Sequence, residues 1–222
     1  MAFMSRVCAV LLLGLSAVVG AQGEWREEKQ QDGIRIESRA VEGWEIREMR
    51  GTAMFDGRLD SLVAVTTDPA AAPRLNELVE SSKVVQRDSA TRYQVYTLTK
   101  MPWPLKDRDV LMQRQIERDA QTGAVTIADQ AASGTVPEKD GLVRIVRASN
   151  RWTFTPTADG KVCIEFVMLS DPAGPIPSSL INSMSVSTPL KTIAQLIALA
   201  GQSPYAEAES LFAVEAAAAA AE

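Results

Sequence analysis

The fold is decided by residues 101–116, which read MPWPLKDRDVLMQRQI. Proline fixes φ and lacks a backbone N–H, so the two prolines that flank Trp103 predict a rigid turn. From residue 108 onwards, apolar side chains occupy even positions and polar ones occupy most odd positions, which is typical of a half-buried strand. Two arginines break this rule, because Arg108 and Arg114 also fall on the even face.

Arg114 is the most informative of these residues. Strand alternation places it on the same face as Val110, Met112 and Ile116. Because an unpaired buried charge is very costly, Arg114 needs a partner, either a protein carboxylate or the polar head of a ligand. Both interpretations stay open at this point, and an internal ion pair that merely fixes the sheet is one of them. Asp109 faces the opposite side, where an aspartate more often buttresses a turn.

Strand patterns continue on both sides of this stretch. A short charged segment at residues 24–31 is interpreted as a helical turn, and the spacing of apolar residues predicts two short helices at 59–67 and 70–79. Consecutive strands joined by short turns predict an antiparallel meander. The predicted strands cover residues 34–41, 44–55, 82–87, 92–100, 108–118, 125–132, 142–154 and 162–170.

A long helix is predicted after the Pro/Gly-rich break at residues 171–177. Ser178 can cap it, Gly201 ends it, and Pro189 predicts a kink in its middle. A sheet of this size curls, and a helix laid in its concavity leaves space between the two. The predicted fold class is therefore α+β, a helix-grip arrangement in which a curved antiparallel sheet wraps around a long C-terminal helix.

The two ends of the chain differ from its middle. Residues 1–21 have the pattern of a signal peptide, with a positive Arg6, an apolar run and small residues before the expected cut at Gln22. We therefore expect an exported protein, periplasmic or secreted, with one domain at residues 22–203. The Ala/Glu-rich tail at 204–222 has little to pack with and is expected to be frayed or disordered.

Composition excludes several kinds of chemistry. The chain contains no histidine, so a Ser-His-Asp or Cys-His device and an imidazole metal ligand are ruled out. Its formal net charge is −5 without a basic stripe, which argues against a nucleic-acid partner. Cys163, the only cysteine outside the leader, is interpreted as a small buried hydrophobe. No cofactor and no metal are expected.

Four segments together resemble the START family of lipid-transfer domains related to the steroidogenic acute regulatory protein. The proline-rich turn followed by Arg108-Asp109 is similar to a family motif, and Arg114 resembles a second arginine that faces the family's ligand tunnel. Residues 150–156 resemble the penultimate strand. Residues 171–182 resemble the segment that leads into the C-terminal lid helix. The export signal departs from the cytosolic eukaryotic members and suggests a bacterial envelope protein.

The resemblance implies a non-catalytic protein that binds, and potentially transfers, one lipid or other hydrophobic molecule in an internal tunnel. Alternation along the strands and along the helix selects the side chains that face this tunnel, and methionines suit a wall that accepts variable apolar shapes. A transient membrane contact through Trp103 is a further interpretation. The predicted ligand-binding residues are Arg114, Met112, Val110, Trp152, Phe154, Phe166, Met168, Ile181, Asn182 and Met184.

Two other functions compete with this one. The first is an enzyme on the same scaffold, similar to aromatase and cyclase relatives, with Arg114, Asp109 and either Tyr93 or Tyr96 as candidate groups. The second is a module that senses a ligand and changes a partner's binding. No spacing in the sequence demands catalysis, and no motif for a protein partner is present.

Overall fold

The computed structural model describes residues 23–213. The predicted signal peptide and residues 214–222 of the tail lie outside the described residues. Within them, every helix is too short or too polar to cross a bilayer.

The strands are β1 Arg26–Gln31, β2 Ile34–Arg39, β3 Glu48–Phe55, β4 Val79–Arg87, β5 Arg92–Thr99, β6 Arg108–Arg118, β7 Val125–Ala131, β8 Val143–Ile145, β9 Ala148–Pro156 and β10 Val162–Ser170. The helices are α1 Leu59–Thr67, α2 Ala72–Leu75 and α3 Ser178–Ala200, with 3-10 turns at Pro69–Ala71 and Tyr205–Glu207.

The strands form one curved sheet in the order β1-β2-β3-β10-β9-β7-β6-β5-β4. All neighbours along this path are antiparallel, and β8 pairs in parallel with the first residues of β6. The long pairing of β3 with β10 joins the first hairpin to the end of the meander. The predicted fold class, an antiparallel sheet around a C-terminal helix, is confirmed.

The charged segment at residues 24–31 is a strand, so its interpretation as a helical turn is wrong. The reason lies in the turn that follows. Asp32 and Gly33 both have positive φ, of 52° and 79°. A two-residue loop with positive φ at both positions matches the twist of a hairpin, so it pairs this segment with β2.

Helix α3 has two different halves. Beyond Pro189, the side chains of Leu190, Ile193, Leu196 and Leu199 are buried against the sheet and α1. Before Pro189, the described side chains from residue 184 to 188 are only half-buried. The helix continues through Pro189, which therefore marks the boundary between a packed half and a looser half.

A glycine sets how closely the packed half approaches the sheet. A Cβ built on Gly51 of β3 would lie 2.4 Å from Cδ1 of Ile193, closer than real Cβ atoms come to any neighbour. Only glycine lets the helix seat so deeply here. Beneath the other half of α3, a space bordered by Ile181, Met184 and Ser185 remains.

Part of the C-terminal tail is packed, which corrects the expectation that residues 204–222 are frayed. Leu211 and Phe212 pack against the core, and the Tyr205 hydroxyl donates a hydrogen bond of 2.6 Å to Oδ2 of Asp68. Composition alone did not predict this, because three anchoring side chains suffice to dock a segment dominated by alanine and glutamate.

The Tyr205 hydrogen bond predicts a dependence of stability on alkaline pH. Burial and the Asp68 carboxylate raise the pKa of Tyr205 to about 12, whereas the unfolded chain loses this proton near pH 10. The stabilisation is therefore complete below about pH 10 and is lost as the pH rises toward 12. We expect Tyr205→Phe to lower the free energy of unfolding at pH 8 by about 1.5 kcal/mol and to flatten the alkaline decline. Urea denaturation at pH 8, 10 and 11 measures both; an unchanged profile would contradict the docking of this segment.

Candidate functional site: a cavity under the C-terminal helix

A cavity lies between the concave face of the sheet and α3, from Ile181 to Thr192, and Ala72 and Leu75 of α2 cover its inner end. It has an inner compartment of about 290 Å³ and an outer compartment of about 210 Å³. The two compartments adjoin each other, because six residues belong to the walls of both. The shared residues are Asn76, Thr99, Ile145, Met168, Ser170 and Thr188. Together, the volumes of the two compartments fall in the usual range for a small-molecule binding site.

The inner compartment is built on the inward faces of six neighbouring strands, from β10 to β4 along the sheet, and on Ile145 of β8. Strand β6 contributes Val110, Met112 and Arg114 to its wall, as the alternation predicts. Strands β9 and β10 contribute Trp152, Phe166 and Met168. Six of the ten predicted ligand-binding residues therefore line this compartment.

Two aromatic side chains form a flat part of this wall. The rings of Trp152 and Phe166 stack with centroids 3.9 Å apart and planes 9° from parallel. Both side chains are buried and belong to adjacent positions of β9 and β10. The stack makes the wall rigid and apolar at this point.

Phe154 was predicted to face the tunnel and instead lies in the packed core. It is completely buried and is not part of either compartment's wall within the described residues. Alternation correctly places it on the same face as Trp152, but β9 passes here beneath α1. Alternation gives the face on which a side chain lies, but not which part of the domain covers the strand at that position. The covering element decides whether the side chain belongs to the core or to the cavity wall.

Arg114 is paired with a protein carboxylate. Its Nε and Nη2 donate to the two oxygens of Asp129 at 2.7 and 2.8 Å, and Nη1 donates to the backbone oxygen of Thr66 at 2.8 Å. Burial by itself lowers the pKa of Arg114, but the Asp129 carboxylate outweighs this and raises it. The guanidinium stays charged, and the bond to Thr66 ties the end of α1 to the sheet.

A second polar group lies beside this pair. Asn150 pairs with Asp129 across β7 and β9, and its side chain faces the inner compartment. Within residues 23–213 its amide has no hydrogen-bond partner. The inner end of the cavity therefore offers a neutral ion pair and a free amide, which together suit an uncharged polar group such as a hydroxyl.

The outer compartment is closed by the looser half of α3. Ile181 and Met184 of this helix line it, together with Ile176 from the preceding segment. Asn182 also lies on α3, but its side chain is outside the described residues. Ile181 and Met184 thus contribute to the outer compartment rather than to the inner one.

Arg108 reaches the outer compartment from the start of β6. It is 3% exposed and donates hydrogen bonds to three backbone oxygens, those of Lys106, Pro172 at 3.2 Å and Ala173 at 3.0 Å. Burial lowers the pKa of Arg108. These bonds fix the segment that leads into α3, so Arg108 connects the sheet to the cover of the cavity.

The candidate groups of the enzyme alternative do not come together. Asp109 is buried on the opposite face of the sheet, where Arg144 donates to both of its oxygens at 2.8 Å and the Tyr96 hydroxyl donates at 2.9 Å. The Arg144 guanidinium holds the pKa of Asp109 below its usual range. Only Tyr93 lies near Arg114, with its ring centroid 5.8 Å from the guanidinium carbon.

Sequence reasoning missed three wall residues for which a signal existed. In β7, Asp129 shares its face with Val125 and Ile127, so the alternation that selected Arg114 also selects its partner. Asn150 shares its face with Trp152 in the same way. Arg108 lies on the even face of β6 and was noted there, but its contact with the segment before α3 depends on the tertiary fold.

A sheet that grips a helix over an internal cavity defines the helix-grip class of folds. The chain belongs to the START domain family, whose sequence pattern matches residues 18–203. The family resemblance drawn from the sequence is thereby confirmed.

Three known proteins illustrate the similarity. The crystal structure of the STAR-related lipid transfer protein (fragment 25–204) from Xanthomonas axonopodis has a TM-score of 0.72 and 32% identity, covering 80% of this chain and 99% of that chain. Protein PA1579 of Pseudomonas aeruginosa is 26% identical over 183 residues, which is 80% of this chain and 90% of that protein. The phosphatidylcholine transfer protein of Bos taurus is 27% identical over 128 residues, 55% of this chain and 58% of that protein.

Proposed function

We propose that this protein binds one hydrophobic molecule in the cavity under α3 and releases it unchanged. The observation that carries the proposal is the cavity itself, which lies in the core of the domain and is walled by aliphatic, aromatic and methionine side chains. An empty apolar space of this kind lowers stability, so a ligand that fills it stabilises the fold. Family membership supports the same conclusion, since relatives are named as lipid transfer proteins.

The inner end of the cavity favours a ligand whose buried end is apolar or carries an uncharged polar group. Asp129 already neutralises Arg114, so a second anion there would meet the Asp129 charge at close range. A hydroxyl or carbonyl group would instead accept a hydrogen bond from the free amide of Asn150. A sterol-like or acyl-chain ligand fits these conditions.

Direct binding tests the proposal. Purified protein, stripped of co-purified lipid with an organic solvent wash and refolded if necessary, is titrated with fluorescent fatty acid, sterol and phospholipid analogues. We expect saturable binding of at least one class at one molecule per chain. Absence of binding across all three classes, with the circular dichroism of the folded protein intact, would contradict the proposal.

We further propose that the protein is exported and that ligand exchange takes place at a membrane. Trp103 is 92% exposed at the tip of the proline-flanked turn. The same loop borders the cavity, because Met101 lines the outer compartment. Tryptophan combines an apolar ring with an N–H donor and favours the interface between lipid and water. Insertion of Trp103 would place the outer compartment at the bilayer surface.

This membrane contact predicts a large effect of one substitution. Burying a tryptophan ring contributes about 1.5–3 kcal/mol, so Trp103→Ala should weaken binding to phosphatidylcholine vesicles about tenfold or more, as measured by co-sedimentation. Met54→Ala is the matched control, since Met54 is also an exposed apolar side chain and lies on a different part of the surface. Equal binding by wild type and Trp103→Ala would show that the turn does not contact the membrane.

A further inference from the structure

The two inward-facing arginines of β6 differ in how their charges are balanced. Arg114 forms a two-pronged ion pair with Asp129. Arg108, six residues earlier on the same face, is 3% exposed, and its hydrogen bonds go only to backbone oxygens, with Asp107 acting on its charge from a longer distance. Within residues 23–213, no carboxylate forms an ion pair with it; the adjacent Asp107 is bonded to Lys100 at 2.8 Å. A buried cation whose charge is unbalanced is costly.

A second arginine lines the same compartment. Arg47 donates from Nε to the Ser38 hydroxyl at 2.7 Å, and that hydroxyl donates in turn to Glu28 at 2.5 Å. Arg47 also donates from Nη2 to the backbone oxygen of Ser38 at 3.4 Å, and among the described residues it forms no direct ion pair, although Glu28 lies close to it on the far side of the Ser38 hydroxyl. The guanidinium remains available to a further acceptor.

The wall of the outer compartment is therefore positively charged. Among its described residues, Arg47 and Arg108 are the charged ones, and none is acidic. The other residues of this wall are apolar or neutral. Arg108 is buried, so water screens its charge little, whereas Arg47 is exposed and lies at the rim of the compartment.

We propose that the ligand is an amphiphile with an anionic head group, which binds in the outer compartment against Arg108 and Arg47 while its tail fills the inner compartment. This proposal rests on the proposed binding function and adds the class of ligand and its orientation. Three of the five N–H groups of Arg108 are used within the described chain, so two remain for the oxygens of a carboxylate or a phosphate.

The length of the cavity agrees with this orientation. Arg108 and Arg114 are six residues apart on one strand, which separates their Cα atoms by about 20 Å. Val110 and Met112 lie between them and provide an apolar wall for the tail. An anion at the opposite end is disfavoured by Asp129, so the charge distribution allows one orientation only.

The test compares two ligands that differ in charge alone. Hexadecanoate and its neutral methyl ester compete at pH 7.5 for the lipid-stripped protein against a fluorescent acyl probe. We expect hexadecanoate to bind about tenfold or more tightly than the ester, and hexadecyl phosphate to share this preference. Equal affinities would overturn the proposal and leave the binding function intact. Failure of both acid and ester to bind, while a sterol analogue binds, would also overturn it.

Substitutions of the two arginines test whether they cause the preference for the acid over the ester. Arg47→Gln and Arg108→Gln should each reduce the ratio of acid to ester affinity at least threefold, and the ratio cancels any loss of cavity shape that weakens both ligands alike. Arg108→Lys retains a charge and should keep part of the preference. Arg151→Gln is the matched control, because Arg151 is an exposed arginine that lines neither compartment. A ratio that survives in both Arg47→Gln and Arg108→Gln would overturn the assignment.

Discussion

Arg114→Leu is expected to destabilise the folded protein by about 3–5 kcal/mol, because it leaves the Asp129 carboxylate buried without its cation. The side chains of Arg114 and Asp129 are only 12% and 7% exposed. The substitution also removes the hydrogen bond that ties the end of α1 to the sheet through the backbone oxygen of Thr66. Urea denaturation followed by circular dichroism measures the loss as a fall in the free energy of unfolding.

The double variant tests whether the loss of stability comes from the unpaired Asp129 carboxylate. Arg114→Leu combined with Asp129→Leu removes both charges and should recover most of the lost stability, since two apolar side chains need no partner. Arg35→Leu is the matched control: Arg35 pairs with Glu27 at 3.5 Å where both side chains are half exposed, and its loss should cost less than about 1 kcal/mol. A cost below about 1 kcal/mol for Arg114→Leu would contradict a buried pair.

Met184→Trp is expected to abolish ligand binding while the protein remains folded. Met184 lies on the looser half of α3 and lines the outer compartment, so an indole at this position occupies space that the ligand needs. Overpacking a filled core costs about 1–3 kcal/mol, whereas filling a real cavity costs less. Titration with the fluorescent acyl probe measures binding, and thermal denaturation measures stability.

The control for this substitution lies on the same helix. Ala198 is exposed on the packed half of α3, so Ala198→Trp introduces the same ring without entering the cavity and should bind like the wild type. Unchanged binding by Met184→Trp would show that the ligand does not occupy the outer compartment. A loss of folding would show that Met184 belongs to tightly packed core.

The fold was predictable because its main signals are local. Alternation along residues 108–116 gave the inward face of β6, and the Pro/Gly break at 171–177 gave the beginning of α3. The same rule applied to β7 places Asp129 on the inward face, so the partner of Arg114 could have been predicted from the sequence. The interpretation of residues 24–31 as a helical turn was wrong, because charge composition outweighed the hairpin signal of Asp32-Gly33.

The shape of the cavity was not predictable in the same way. It depends on how far each half of α3 stands from the sheet, and the close contact of Ile193 with Gly51 fixes one half only. Alternation places Phe154 and Trp152 on one face, but Phe154 lies where β9 passes beneath α1, so that it is core while Trp152 is wall. Likewise, the docking of Leu211 and Phe212 depends on a surface that exists only in the folded domain.

The central claim is that the space under α3 holds one hydrophobic molecule. Native mass spectrometry of the protein purified under mild conditions tests it most directly. The account predicts a mass increase that corresponds to one lipid-sized molecule per chain, which is extracted by organic solvent and is missing from Met184→Trp. A wild-type protein that carries no such mass, and gains none after incubation with a broad panel of lipids, would contradict the claim.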